Sequence, residues 1–164
     1  VAVPPARWDA LVADLAARLK ARPDDGEGWA MLGRAYRVLG RYPESAAAYG
    51  EAVKRLPPSA SVLVDWAEAL AQAQGRSLAG EPTRILERAL ALEPNSAKAL
   101  ALAGAAAMER GDRAQAIVLW TKLRSVLPPG RPQFAQIEAA LTRAGVSLPE
   151  PTPAVAGASQ GATL

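Results

Sequence analysis

Proton-transfer chemistry in this chain would have to come from carboxylates, because its 164 residues include no histidine and no cysteine. That absence removes almost every zinc site, the Ser-His-Asp and Cys-His nucleophile arrangements, imidazole ligation of haem and thiol redox chemistry. The pair at the most suggestive spacing is Asp65 and Glu68, three residues apart. Two carboxylates can divide the roles of general acid and general base, but on a helix this spacing is also that of an ordinary solvated face, and an exposed pair is the expectation. No glycine-rich phosphate loop is present. The chain therefore reads as a non-enzyme, with no catalytic residue, metal site or cofactor assigned.

The charge pattern is equally restrained. Nineteen Lys and Arg face sixteen Asp and Glu, for a net charge of +3 and a pI near 9.6. The cations are scattered, as in Arg18, Lys20 and Arg22, then Arg34, Arg37 and Arg41, then Arg84 and Arg88. Nucleic-acid recognition calls for a concentrated basic patch interleaved with stacking aromatics, so no nucleic-acid partner is expected.

The elements that must position these residues are helices. Half of the chain is apolar, only 5% is aromatic, and alanine is abundant. Alanine is the best helix former and lets helices approach closely. No segment alternates apolar and polar residues at period two, and no run of 18 apolar residues exists to cross a bilayer. The length suits one domain or one array. Missing cysteine is compatible with a cytoplasm or with a periplasm.

Three stretches repeat one pattern at intervals of about 34 residues. The clearest has Trp29, Leu32, Gly33 and Tyr36, then Ser45, Tyr49, Ala52 and Pro57. The second has Trp66, Ala67 and Leu70, then Leu86, Ala89 and Pro94; the third has Leu100, Ala103, Gly104 and Ala107, then Ala116, Trp120, Leu123 and Pro128. This resembles the tetratricopeptide (TPR) repeat, a helix–turn–helix unit that buries its apolar face only by stacking. The expected fold is all-α: a right-handed TPR superhelix of antiparallel helix pairs, with a leading helix and a C-terminal capping helix. Gly33, Ala67 and Gly104 are where two helices should cross closely, and the aromatics should pack the first helix of each unit on the second.

Residues 1–6 read as a lead-in and 7–143 as the TPR domain. Within it, Trp8, Leu11, Val12, Leu15 and Leu19 define a helix over about 7–21, a half-repeat ending at residue 25. Full repeats follow at about 26–59, 60–96 and 97–130, and a cap helix at 132–143 carries Phe134, Ile137 and Leu141. Gly40 is placed to end a helix in a left-handed turn, and Pro43 to begin the next. Asn95 and Asp112 are predicted N-caps, with Gln115 at capping-box spacing from Asp112. Three extra residues must sit between the helices of the second repeat, in a turn holding Gly75, Gly80 and Pro82. Residues 144–164, rich in Pro, Ala and Gly, are expected to be a disordered tail.

In such an array the groove is lined by first-helix residues one, four and five positions after the small crossing residue. These are Arg34, Arg37 and Val38, then Glu68, Ala71 and Gln72, then Ala105, Met108 and Glu109, with Ala101 also facing it. One end is cationic, the middle polar and the far end mostly Ala and Met. An amphipathic helix with an acidic end would match.

The second repeat is more specific. Its run from Val62 through Asp65, Trp66, Ala67 and Glu68 to Ala71, followed by the long turn of 74–82, closely resembles the periplasmic domain of the cytochrome c biogenesis proteins CcmI/CycH. So do Gly28, Trp29, Ala30, Met31, Leu32, Gly33, Arg34, Ala35 and Tyr36, and so does the stretch from Lys98 to Gly104. The resemblance spans roughly residues 7–143. It implies an apocytochrome c chaperone in periplasmic c-type cytochrome maturation. Such a protein holds apocytochrome c largely by its C-terminal helix and delivers it to the haem-ligation complex with CcmF and CcmH. It also implies a periplasmic domain of an inner-membrane protein, and a start at Val1 without an initiator Met is expected of a fragment whose anchor lies upstream. A carrier without thiols cannot form a mixed disulfide with a client whose Cys-x-x-Cys-His site must stay free. The alternative left open is a structural TPR adaptor that scaffolds folded subunits of a membrane-associated complex.

Overall fold

The computed structural model describes residues 5–149 and contains eight helices, with no strand among the described residues. They are α1 (Pro5–Ala21), α2 (Gly26–Val38), α3 (Tyr42–Arg55), α4 (Ala60–Ala73), α5 (Glu81–Leu92), α6 (Ala97–Glu109), α7 (Arg113–Val126) and α8 (Pro132–Arg143). The pairs α2/α3, α4/α5 and α6/α7 stack as a TPR superhelix, with α1 at one end and α8 at the other. The lead-in is shorter than expected: α1 starts at Pro5, where a proline costs no helical hydrogen bond.

Local chemistry sets the boundaries. Side chains of Asp25, Ser59, Ser96 and Asp112 accept from backbone amides three residues on, capping α2, α4, α6 and α7. The cap of α6 is thus Ser96 rather than Asn95. Asn95 stays exposed in the preceding turn, one residue too early for its side chain to reach the first free amides. After α2 the chain turns through Gly40 at φ +71°, with the Gly40 amide donating to Arg37 O at 3.0 Å and the Arg41 amide to Tyr36 O at 2.8 Å. The same double bond recurs at Gly111. This is the paired closure that satisfies the last helical carbonyls.

The helix pairs touch through matched crossing residues. Gly33 lies under the fully buried Tyr49 ring, and a Cβ there would sit 2.9 Å from Tyr49 Cδ2. Gly104 lies against the Trp120 indole with no room for a methyl group. In the second repeat the aromatic is replaced by Leu86, and an alanine, Ala67, is fully buried in the same cluster. A smaller partner across the interface leaves space for one more carbon. Ser45, buried beside Tyr49, donates its hydroxyl to Gly33 O at 2.7 Å and ties α3 to α2.

Clusters of buried apolar side chains follow one another along the stack, from Val12, Leu19 and Leu32 at one end to Leu123, Ile137 and Leu141 at the other. They extend further than the sequence reading allowed. Ala144 is buried, Val146 and Leu148 pack against the last cluster, and the Val146 amide donates to Leu141 O at 3.0 Å. Residues 144–148 are therefore part of the folded end, because α7 and α8 present apolar surface that alternate side chains can cover. The remainder of the expected tail lies outside the described residues.

Candidate peptide-binding groove

Helices α2, α4 and α6 are the first helices of successive repeats, and their shared face carries a four-membered charge network. Arg37 Nη1 on α2 donates to Glu68 Oε2 on α4 at 2.8 Å and lies 3.6 Å from Asp65 Oδ1. Lys98 Nζ on α6 donates to the same two carboxylates, at 2.9 Å to Asp65 and 2.8 Å to Glu68. Three repeats are thus stitched across one face. Burial pulls the Lys98 pKa down, but the hydrogen bonds to Glu68 and Asp65 outweigh it and hold the ammonium above its ordinary value.

This corrects the expectation for Asp65 and Glu68. They are not a solvated surface pair: their side chains are only 17% and 29% exposed, and each is engaged by a cation from a neighbouring repeat. Beside them, the Tyr49 hydroxyl is buried without a hydrogen-bond partner among the described residues. Burial first, and then the Asp65 charge, push its pKa up, so it stays a neutral phenol.

The ten residues expected to line the groove fall into distinct settings. Arg34 is exposed and has no ion pair among the described residues, whereas Arg37 is committed to the network. Val38 is 81% exposed and Met108 is 38% exposed, both open apolar surface. Gln72, Ala101 and Ala105 are half-buried. Ala101 and Ala105 pack on the core, and Ala101 O accepts the Trp120 indole N–H at 3.3 Å. Ala71 is buried in the second-repeat core and presents almost no surface.

Glu109 is exposed but occupied. Its carboxylate accepts from the Ser77 hydroxyl and, at 2.8 Å, from the Leu78 amide. It therefore fastens the long turn between α4 and α5 onto the next repeat. These bonds, Ser77 first and Leu78 second, hold its pKa below the usual carboxylate range. Within that turn the Gln74 amide donates to Ser77 O and Ala79 O, and the Thr83 hydroxyl donates to Leu78 O, so Leu78 is folded inward and buried.

Three features escaped the sequence reading. Lys98 lies six residues before Gly104, an offset left out of the groove positions, and its role appears only when α4 and α6 are side by side. The second is a hollow of about 300 Å³ between α1 and α2, lined by Trp8, Val12, Met31, Arg34, Ala35, Val38 and Leu39. Another, of about 510 Å³, lies between α6 and α8, beside Lys98, Ala101 and Ile137.

Comparison with known proteins gives this geometry a lineage. The family model described as "Cytochrome c-type biogenesis protein H TPR domain" matches residues 8–134. The chain is 33% identical to the cytochrome c-type biogenesis protein CycH of Pseudomonas aeruginosa, over 98% of this chain and 40% of that protein. It is 29% identical to the CycH of Rhizobium meliloti, over 77% of this chain and 33% of that protein. The chain spans less than half the length of these curated relatives. Among solved structures, MamA superposes with a TM-score of 0.72 at 22% identity, covering 84% of this chain and 76% of that one, which supports the fold alone. The chain belongs to the family of TPR domains of the cytochrome c-type biogenesis protein H.

Proposed function

We propose that this domain is a helix-binding module that holds apocytochrome c, by its C-terminal helix, during c-type cytochrome maturation. In this reading it works in the periplasm as part of an inner-membrane protein and hands its client to a haem-ligation complex with CcmF and CcmH. It performs no catalysis. Family membership supports the maturation role. The observation that carries helix binding is the first-helix face itself: exposed Val38 lies one turn from Arg34 on α2, Arg34 is exposed and has no ion pair among the described residues, and exposed Met108 lies two repeats along on α6. An amphipathic helix meets such a surface with its apolar side, and a carboxylate meets the arginine. Carboxylates paired with Arg37 and Lys98 serve as structural anions rather than as an acid–base couple.

The test is calorimetric titration with a synthetic C-terminal helix of an apocytochrome c. Micromolar or tighter binding, weakened in an Arg34→Ala/Met108→Ala variant, is the expected result. An intact fold that binds no such peptide would turn the reading toward an adaptor for folded subunits.

A further inference from the structure

We propose that the partner helix docks at the α1 end of the array, in the trough between α1 and α2, and that Arg34 selects a carboxylate on it. The inference rests on the helix-binding reading above and deepens it by naming the place and the chemistry. Three observations converge on this trough. Its walls are apolar, with Trp8 and Val12 from α1 facing Met31 and Val38 from α2 and Leu39 at its C-cap. Trp8, Met31 and Val38 remain 49%, 59% and 81% exposed, although they lie together around one hollow. A contiguous open apolar surface of this kind is uncommon away from interaction sites.

The third observation is charge. Arg34 is the charged residue lining the trough, and it has no ion pair among the described residues. One turn further along α2, Arg37 is neutralised by Asp65 and Glu68, which also engage Lys98. Arg37 and Lys98 balance Asp65 and Glu68 one for one, and Arg34 stands outside that network. The middle of the face is occupied by its own ion pairs, whereas among the described residues no ion pair involves those that line the trough. The occupant is therefore an amphipathic helical segment of a partner protein, with apolar residues spaced i, i+3 or i+4, i+7 and a carboxylate flanking that stripe.

Two synthetic peptides titrated into the ¹⁵N-labelled chain separate this inference from the broader reading. One is the C-terminal helix of an apocytochrome c; the other is a designed amphipathic helix with a leucine stripe and one flanking Glu, made also with Gln. Both are expected to shift the Trp8 indole N–H and the amides from Met31 to Leu39. Val38→Glu, at a site open to solvent, should weaken both about tenfold. Arg34→Glu should weaken the Glu peptide several-fold and leave the Gln peptide nearly unchanged. If the cytochrome peptide binds but ignores Val38→Glu and Arg34→Glu while responding to Met108→Ala, the trough is not the site and the helix-binding reading stands. If the designed peptide alone binds in the trough, the trough stands and the cytochrome reading falls. Failure of both peptides overturns both. A dimer seen in sedimentation that Val38→Glu dissolves would assign the trough to a second copy and overturn the proposal.

Discussion

Adding one carbon at two helical glycines should move stability in opposite directions. At Gly33 an added Cβ would lie 2.9 Å from Tyr49 Cδ2 and Cγ, whereas comfortable carbon contacts begin near 3.5 Å. The Tyr49 ring is fully buried, so α2 must lift from α3 by about 0.5 Å or more. Overpacking of this kind costs about 1–3 kcal/mol, offset by the roughly 1 kcal/mol that alanine gains over glycine inside a helix. Gly33→Ala should therefore destabilise by about 1 kcal/mol. At Gly50, inside α3, the added Cβ would meet Trp66 at 3.5 Å, an ordinary contact. Gly50→Ala keeps the propensity gain and should stabilise by about 0.5–1 kcal/mol. The two variants should thus differ by about 2 kcal/mol, or roughly 4–8 °C in Tm, read by circular dichroism at 222 nm with tryptophan fluorescence as a second probe. Gly33→Leu extends the series and should unfold the first repeat. A Gly33→Ala protein as stable as Gly50→Ala, or a Gly33→Leu protein with unchanged Tm, would refute the idea that close crossing sets residue size here.

Two further outcomes are expected. Ser96→Ala should cost about 1 kcal/mol in urea denaturation because it removes the α6 cap, while Asn95→Ala should stay within about 0.5 kcal/mol; equal losses would show that the cap is misplaced. Glu109→Gln should speed hydrogen exchange at the Leu78 amide by releasing the turn. Since the folded pKa of Glu109 is depressed, its contribution is present above the ordinary carboxylate pKa and is lost as pH falls through the folded value. The variant and the parent should therefore converge in acid, and a difference that persists there would assign the protection to something other than the carboxylate.

Much of the fold was legible because each unit is decided by residues close in sequence. The crossing glycines and their aromatics, Gly33 with Tyr49 and Gly104 with Trp120, lie one helix pair apart, and turn signals such as Gly40 act within a few residues. The candidate groove was legible only as positions. Offsets from Gly33 marked Arg34 and Val38, which are open, but the same rule marked Ala71, which is buried, and Glu109, whose carboxylate is spent on the turn. Solvation was misjudged where a partner came from another repeat, as for Asp65 and Glu68, whose cations lie about 30 residues away.

Sequence alone determined that this chain is a stack of helix pairs, because periodicity, small crossing residues and turn glycines are local constraints that admit few other folds. Tertiary structure decided which charges are neutralised and which apolar residues remain open. Arg37 and Lys98 meet the same two carboxylates only once three repeats are in register. Trp8 and Leu11 share the apolar spacing of Val12 and Leu19, yet α2 covers only the second pair. Spacing tells which side chains share a face; the neighbouring helix decides how much of that face is covered.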